Sequence, residues 1–310
     1  MAIEVKKIGG WGELVRISNG IIDIDVSTAF GPHILNLGFC GGQNFMKLDP
    51  EKELSIYDES LNAFYEGAVW HNYGGHRLWQ SPEAMPRTYL PCNEPIEYEI
   101  TEKGGIFKQQ LFEFTNTQQE IEIVMYENEP KADIIHRITN KNAWPVKFAP
   151  WALTVLKNGG LEIVPMPTKD TGLVSNGVIG IWPYGKLNDK RVNFGEKFIA
   201  IKPDSNNTNK FKLGISNSEK YAAYLLNNEM FVKTFDFDEN AEYPDGGMNF
   251  ETFTNDKFIE CESLGKLETL EYNDTATFTE TWYMFKDIKT PDLHDDAEIE
   301  KVMEKIKKAL

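Results

Sequence analysis

Ile96-Glu97-Tyr98-Glu99-Ile100-Thr101-Glu102-Lys103-Gly104-Gly105-Ile106-Phe107-Lys108 is the stretch that decides the fold. Ile96, Tyr98 and Ile100 alternate with Glu97, Glu99 and Thr101, the period of a strand with two unlike faces. Gly104-Gly105 reads as a hairpin turn, and residues 106–114 as the returning strand. The pattern continues outward. Glu120 to Tyr126 alternates again, Glu127-Asn128-Glu129-Pro130 is a turn, and Asp133 to Thr139 forms the next run. Strand-like runs follow at 145–157, 178–183, 197–202, 221–226, 257–264 and 275–285. Short strands broken by Gly, Asn, Asp and Pro predict an antiparallel all-β fold, a sandwich or barrel. Pro150, inside the run at 145–157, predicts an edge or a bulge. Ile299, Val302, Met303, Ile306 and Leu310 share a 3.6-residue period, which predicts a C-terminal helix packed on the sheet. Asp295 and Glu298 resemble a capping box at its start. With no linker or repeat in view, residues 1–310 read as one domain.

Composition narrows the function. Apolar residues make up 41 % of the 310, enough for a sizeable core. The net charge of −16 disfavours nucleic acid and anionic membranes as partners. No apolar run is long enough to span a membrane, and the N-terminal residues lack the features of a signal peptide, so a cytoplasmic location is the expectation. Cys40, Cys92 and Cys261 are scattered, so no disulfide framework, zinc site or other metal or cofactor is expected. Neutral small molecules are the natural ligand class.

Residues 70–79, Trp-His-Asn-Tyr-Gly-Gly-His-Arg-Leu-Trp, bring aromatic, basic and titratable groups together around a Gly-Gly break. Aromatic faces stack on sugar rings, charged donors grip hydroxyls, and a histidine moves protons near neutral pH. His76 and Arg77 are the leading residues, with His71 and Trp79 beside them. In Phe258–Leu264 the two-residue period puts Glu260 and Glu262 on one face, either solvated or lining a polar cleft. Asn249 and Glu251 share a face by the same reasoning. Trp151 is either core or a platform for a sugar.

Together these segments resemble the galactose mutarotase-like superfamily, which includes aldose 1-epimerases. Residues 34–45 with Cys40-Gly41-Gly42-Gln43-Asn44, residues 73–79, and residues 249–269 carry the resemblance. It implies a β-supersandwich of large antiparallel sheets and a carbohydrate-active protein, with a sugar or sugar derivative as ligand. It further implies anomer interconversion by acid–base catalysis. Glu262 would remove the anomeric hydroxyl proton, and His76 would stand for one of the family's histidines. Arg77, Trp151, Asn249, Glu251, His71 and Trp79 would bind substrate. The family's second histidine has no counterpart in residues 148–153, where Trp151 stands. Two alternatives therefore stay open: a carbohydrate-binding protein of the same fold without catalysis, and a lyase or glycosidase site built from Glu251, Glu260 and Glu262.

Overall fold

The computed structural model describes residues 1–8 and 10–310. Two large sheets contain nearly all the strands, and every pairing is antiparallel. The larger has eleven strands. Its centre runs in the order Ile34–Phe39, Gly75–Ser81, Val146–Lys157, Phe258–Leu264, Phe250–Thr254 and Phe211–Ile215. The smaller has ten, with Thr275–Phe285, Lys131–Asn140 and Thr117–Met125 at its centre. One apolar cluster joins them: Leu37, Leu78, Leu213 and Ile259 from the larger sheet meet Ile121, Ile134, Tyr224 and Trp282 from the smaller.

Thr117–Met125 and Lys131–Asn140 alternate strictly between buried and half-buried residues, the mark of a sheet with one wet face. Gly75–Ser81 and Phe258–Leu264 are buried at every position. Their second face must therefore be covered too. The short 3-10 helix Glu59–Ala63 and its flanks cover it, with Leu61, Ala68 and Tyr89 packing on Trp70, Trp79 and Trp151.

Three local readings change. The hairpin turn is Glu102-Lys103, and Gly104-Gly105 open the second strand. A side chain at Gly104 would strike the Ile123 carbonyl, so the glycine serves a close approach between strands. Pro150 is not on an edge strand, since Val146–Lys157 is interior. It stands where that strand changes partner, from Leu264 opposite Trp151 to Glu268 opposite Phe148. An N–H is dispensable at such a break. The C-terminal helix is Asp296–Lys307, with Ile299, Met303 and Ile306 packed against the outer face of the smaller sheet. Asp295 caps it, accepting from the Ala297 and Glu298 N–H groups at 3.0 Å. Glu298 completes no box, because its carboxylate accepts from Asp292 N–H instead.

Candidate functional site

The Gly-Gly break sets up the site. Tyr73, Gly74 and Gly75 all have left-handed φ, at 57°, 79° and 71°. A side chain at Gly74 would meet the Lys47 carbonyl at 2.0 Å, and one at Gly75 the Ile34 carbonyl at 2.2 Å. Only glycine permits that approach, and from it the chain enters the strand Gly75–Ser81. Alternation then sends His76 and Leu78 toward the other sheet, and Arg77 and Trp79 to the opposite, loop-covered face.

Register assembles the rest of that face. Trp151 stands beside Trp79, and Leu153 beside both Arg77 and Glu262. Glu251 stands opposite Glu262. Glu262 Oε2 accepts from the Trp151 indole N–H and from Lys212 Nζ, both at 3.0 Å. Lys212 Nζ also lies 2.7 Å from Glu251 and sits between the rings of Trp151 and Trp182, 4.7 and 4.8 Å from their centres. Arg77 donates from Nη2 to Glu260 Oε1 at 2.9 Å and lies 4.4 Å over the Trp79 ring. Glu262 Oε1 and two further nitrogens of Arg77 have no partner within the protein.

These charges are not solvated: Glu251 is 0 % exposed, Glu262 1 % and Glu260 8 %. Burial pushes the Glu251 carboxyl up to about 8, against the pull of Lys212 and with a contribution from Glu262. Burial raises Glu262 in the same way, again opposed by Lys212. Lys212 is itself held charged, because the two carboxylates overcome the cost of burying it. Three carboxyls facing two cations leave one negative charge in excess, and a bound proton neutralises it.

Arg77, Trp79, Trp151, Glu251 and Glu262 thus lie on one face of the sheet. His76 does not. It is fully buried between the sheets, where its Nε2 lies 2.7 Å from His136 Nε2 and its Nδ1 2.9 Å from Thr154 Oγ1. His136 Nδ1 lies 3.0 Å from the Phe278 carbonyl and must carry a hydrogen. Its Nε2 therefore accepts from His76, whose Nδ1 in turn accepts from the Thr154 hydroxyl. Both rings are neutral in this chain of bonds, and burial lowers both pKa values. The expectation that His76 works with Glu262 is corrected: adjacent strand residues face opposite ways, and the sheet separates them.

Asn249 is also displaced from the site. It is buried and clamps the loop at Asn217, accepting from its N–H at 2.5 Å and donating to its carbonyl at 3.1 Å. His71 lies on the flank, half-buried, with Nδ1 2.6 Å from Ser55 Oγ. Lys212 went unread. Lys212 stands in Phe211–Ile215, an apolar strand interrupted by a lysine and a glycine, and that lone lysine was the available signal.

His76, His136 and Glu280 place one donor atom each within 4.8 Å, the geometry that could hold a metal ion. Those atoms are committed elsewhere. The histidines bond each other, and Glu280 takes Lys233 at 2.9 Å, Trp282 at 2.8 Å and Ser263. The arrangement fits a closed hydrogen-bond network better than a metal centre.

Neither a protein-family model nor a curated protein matches the sequence. Solved structures do match. A presumed mutarotase from Salmonella typhimurium superposes with a TM-score of 0.57 at 11 % identity, covering 92 % of this chain and 94 % of that one. A galactose mutarotase-like protein from Lactobacillus casei gives 0.53 at 9 % identity, covering 88 % and 100 %. A TPR-domain-containing protein from Parabacteroides distasonis gives 0.60 at 11 % identity, with 91 % of this chain matching 48 % of that longer one. The chain has the galactose mutarotase-like fold, a β-supersandwich. No helix among the described residues is long and apolar enough to cross a membrane.

Proposed function

We propose that the face carrying Glu262 binds a sugar and that Glu262 acts as the base at its anomeric centre. One observation carries this reading. Glu262 is anchored through one oxygen by Trp151 and Lys212 while its other oxygen has no partner within the protein, among tryptophan rings and beside Arg77. A carboxylate so held is oriented to take a hydroxyl proton. With His76 on the other side of the sheet, the proton for the ring oxygen comes from Glu251, whose carboxyl burial holds protonated near neutral pH. Such acid–base steps are each worth roughly 10²–10⁴-fold in rate. Exchange NMR across a panel of free aldoses would show catalysed exchange between anomers. An unchanged rate in Glu262→Gln would remove Glu262 from the mechanism.

The second reading is a carbohydrate-binding protein of the same fold without catalysis. The near-complete burial of Glu251 and Glu262 favours it, as does the separation of His76 from them. Saturable sugar binding without anomer exchange would decide for it. A glycosidase is disfavoured, because Lys212 fills the space between Glu251 and Glu262, where such an enzyme holds the bond to be cleaved.

A further inference from the structure

Beside the strand Gly75–Ser81 lies a crevice of about 20 Å³, bordered by Arg77, Trp79, Gln109, Gln119, Ile121 and His33. Pairing of this strand with Ile34–Phe39 is confined to His76 opposite Ile34, so the edge beyond it is free to border the space. Arg77, Gln109 and Gln119 are all buried. Arg77 Nε and Nη1, Gln109 Nε2 and Gln119 Nε2 have no hydrogen-bond partner within the protein. Three buried side chains that line one small space thus each carry a hydrogen-bearing nitrogen without a partner. Unpaired buried donors are strongly unfavourable, so this many in one place call for an acceptor.

The volume limits what that acceptor can be. A water needs about 10–15 Å³, so the crevice holds one small species and excludes a sugar or an organic acid. One water accepts two hydrogens at most and would leave one of the three side chains unpaired. A spherical anion accepts from every direction. His33 brings no negative charge to the crevice. Its Nδ1 donates to the Gly74 carbonyl at 3.0 Å, and burial lowers its pKa to about 4. Glu260 accepts from Nη2 alone and leaves Nε and Nη1 of the guanidinium without a partner. We propose that this crevice is a binding site for a monatomic anion of the size of chloride.

The test uses full-length protein freed of halide and melted in sodium chloride, sodium bromide or sodium isethionate at equal ionic strength. At ten times the dissociation constant, an elevenfold shift of the folding equilibrium raises Tm by roughly 2–4 °C in either halide. Isethionate, too large for the crevice, gives no rise. Gln119→Leu and Gln109→Leu abolish the halide response while circular dichroism shows both variants folded. Crystals grown in bromide show an anomalous peak between Arg77, Gln109 and Gln119. Equal melting in all three salts would overturn the proposal, as would an undiminished halide response in Gln119→Leu or water in place of bromide. None of these results bears on the role of Glu262.

Discussion

Replacing Glu162 by Gln should stabilise the protein at neutral and alkaline pH and leave it nearly unchanged in mild acid. Glu162 is completely buried in the strand Leu161–Pro165 of the smaller sheet. Neither carboxylate oxygen has a hydrogen-bond partner of sound geometry. Burial pushes its pKa from 4.5 up to about 8, with Thr252, Cys261 and Lys233 pulling the other way. Below pH 4.5 the folded and unfolded chains both hold this proton, and the site costs nothing. Between 4.5 and 8 the unfolded chain releases it while the folded chain keeps it, so stability falls as pH rises, by about 1.4 kcal/mol per unit. Above 8 the loss is complete, at about 5 kcal/mol. Glutamine has nearly the same shape and no proton to lose. Urea unfolding of both proteins at pH 5, 6, 7 and 8 would show the two stabilities diverging with that slope. The difference between the curves cancels every other titrating group. Parallel curves over this range would refute the reasoning, because they would mean that Glu162 ionises as readily in the core as in water.

Lys212→Met removes the cation shared by Glu251 and Glu262, and breaking a buried pair in this way costs about 3–5 kcal/mol. That loss should be largest at pH 8 and shrink toward pH 5 as the two carboxyls take up protons, which denaturant unfolding would show. Trp151→Phe keeps a ring beside Lys212 and Trp79 but deletes the N–H bonded to Glu262, so the pKa of Glu262 should rise further. A carboxyl-carbon NMR titration reads that shift, and an unchanged or lower value would contradict the bond. Asp295→Ala removes the acceptor for two N–H groups of the C-terminal helix and should cost about 1 kcal/mol in urea unfolding.

Strands such as those at 117–125 and 131–140 were legible because one of their faces is wet. Thr117–Met125 and Lys131–Asn140 carry an unbroken period of two. The strands of the first ninety residues were harder to read. Ile22–Ser27 and Gly75–Ser81 are buried on both faces, which erases the alternation, and glycines interrupt the approach to the second. The site divides in the same way. Glu262, Glu251, Trp151, Trp79 and Arg77 were found by residue type and meet on one face. His76 was grouped with Arg77 because they are neighbours in sequence. The two-residue period applied to Glu260 and Glu262 separates His76 from Arg77 once 75–81 is known to be a strand. Lys212 was missed because Phe211–Ile215 did not read as a strand at all.

Two buried polar systems therefore lie back to back across one sheet, built from alternate residues of the same strands. Arg77, Leu153 and Glu262 line one face, and His76, Thr154 and Cys261 the other. A slip of the strand Gly75–Ser81 by one residue would exchange them and put His76 where Arg77 stands. The inner system is what resists that slip. Lys233 reaches from the smaller sheet to the Cys261 carbonyl at 2.7 Å, Ser263 bonds Glu280, and Thr154 joins His76 to the same network. Each of these bonds is lost if its strand shifts by one residue, and each lost bond leaves a buried group unpaired. His76 thus bears on the outer face without reaching it, by helping to hold in register the strand that carries Arg77.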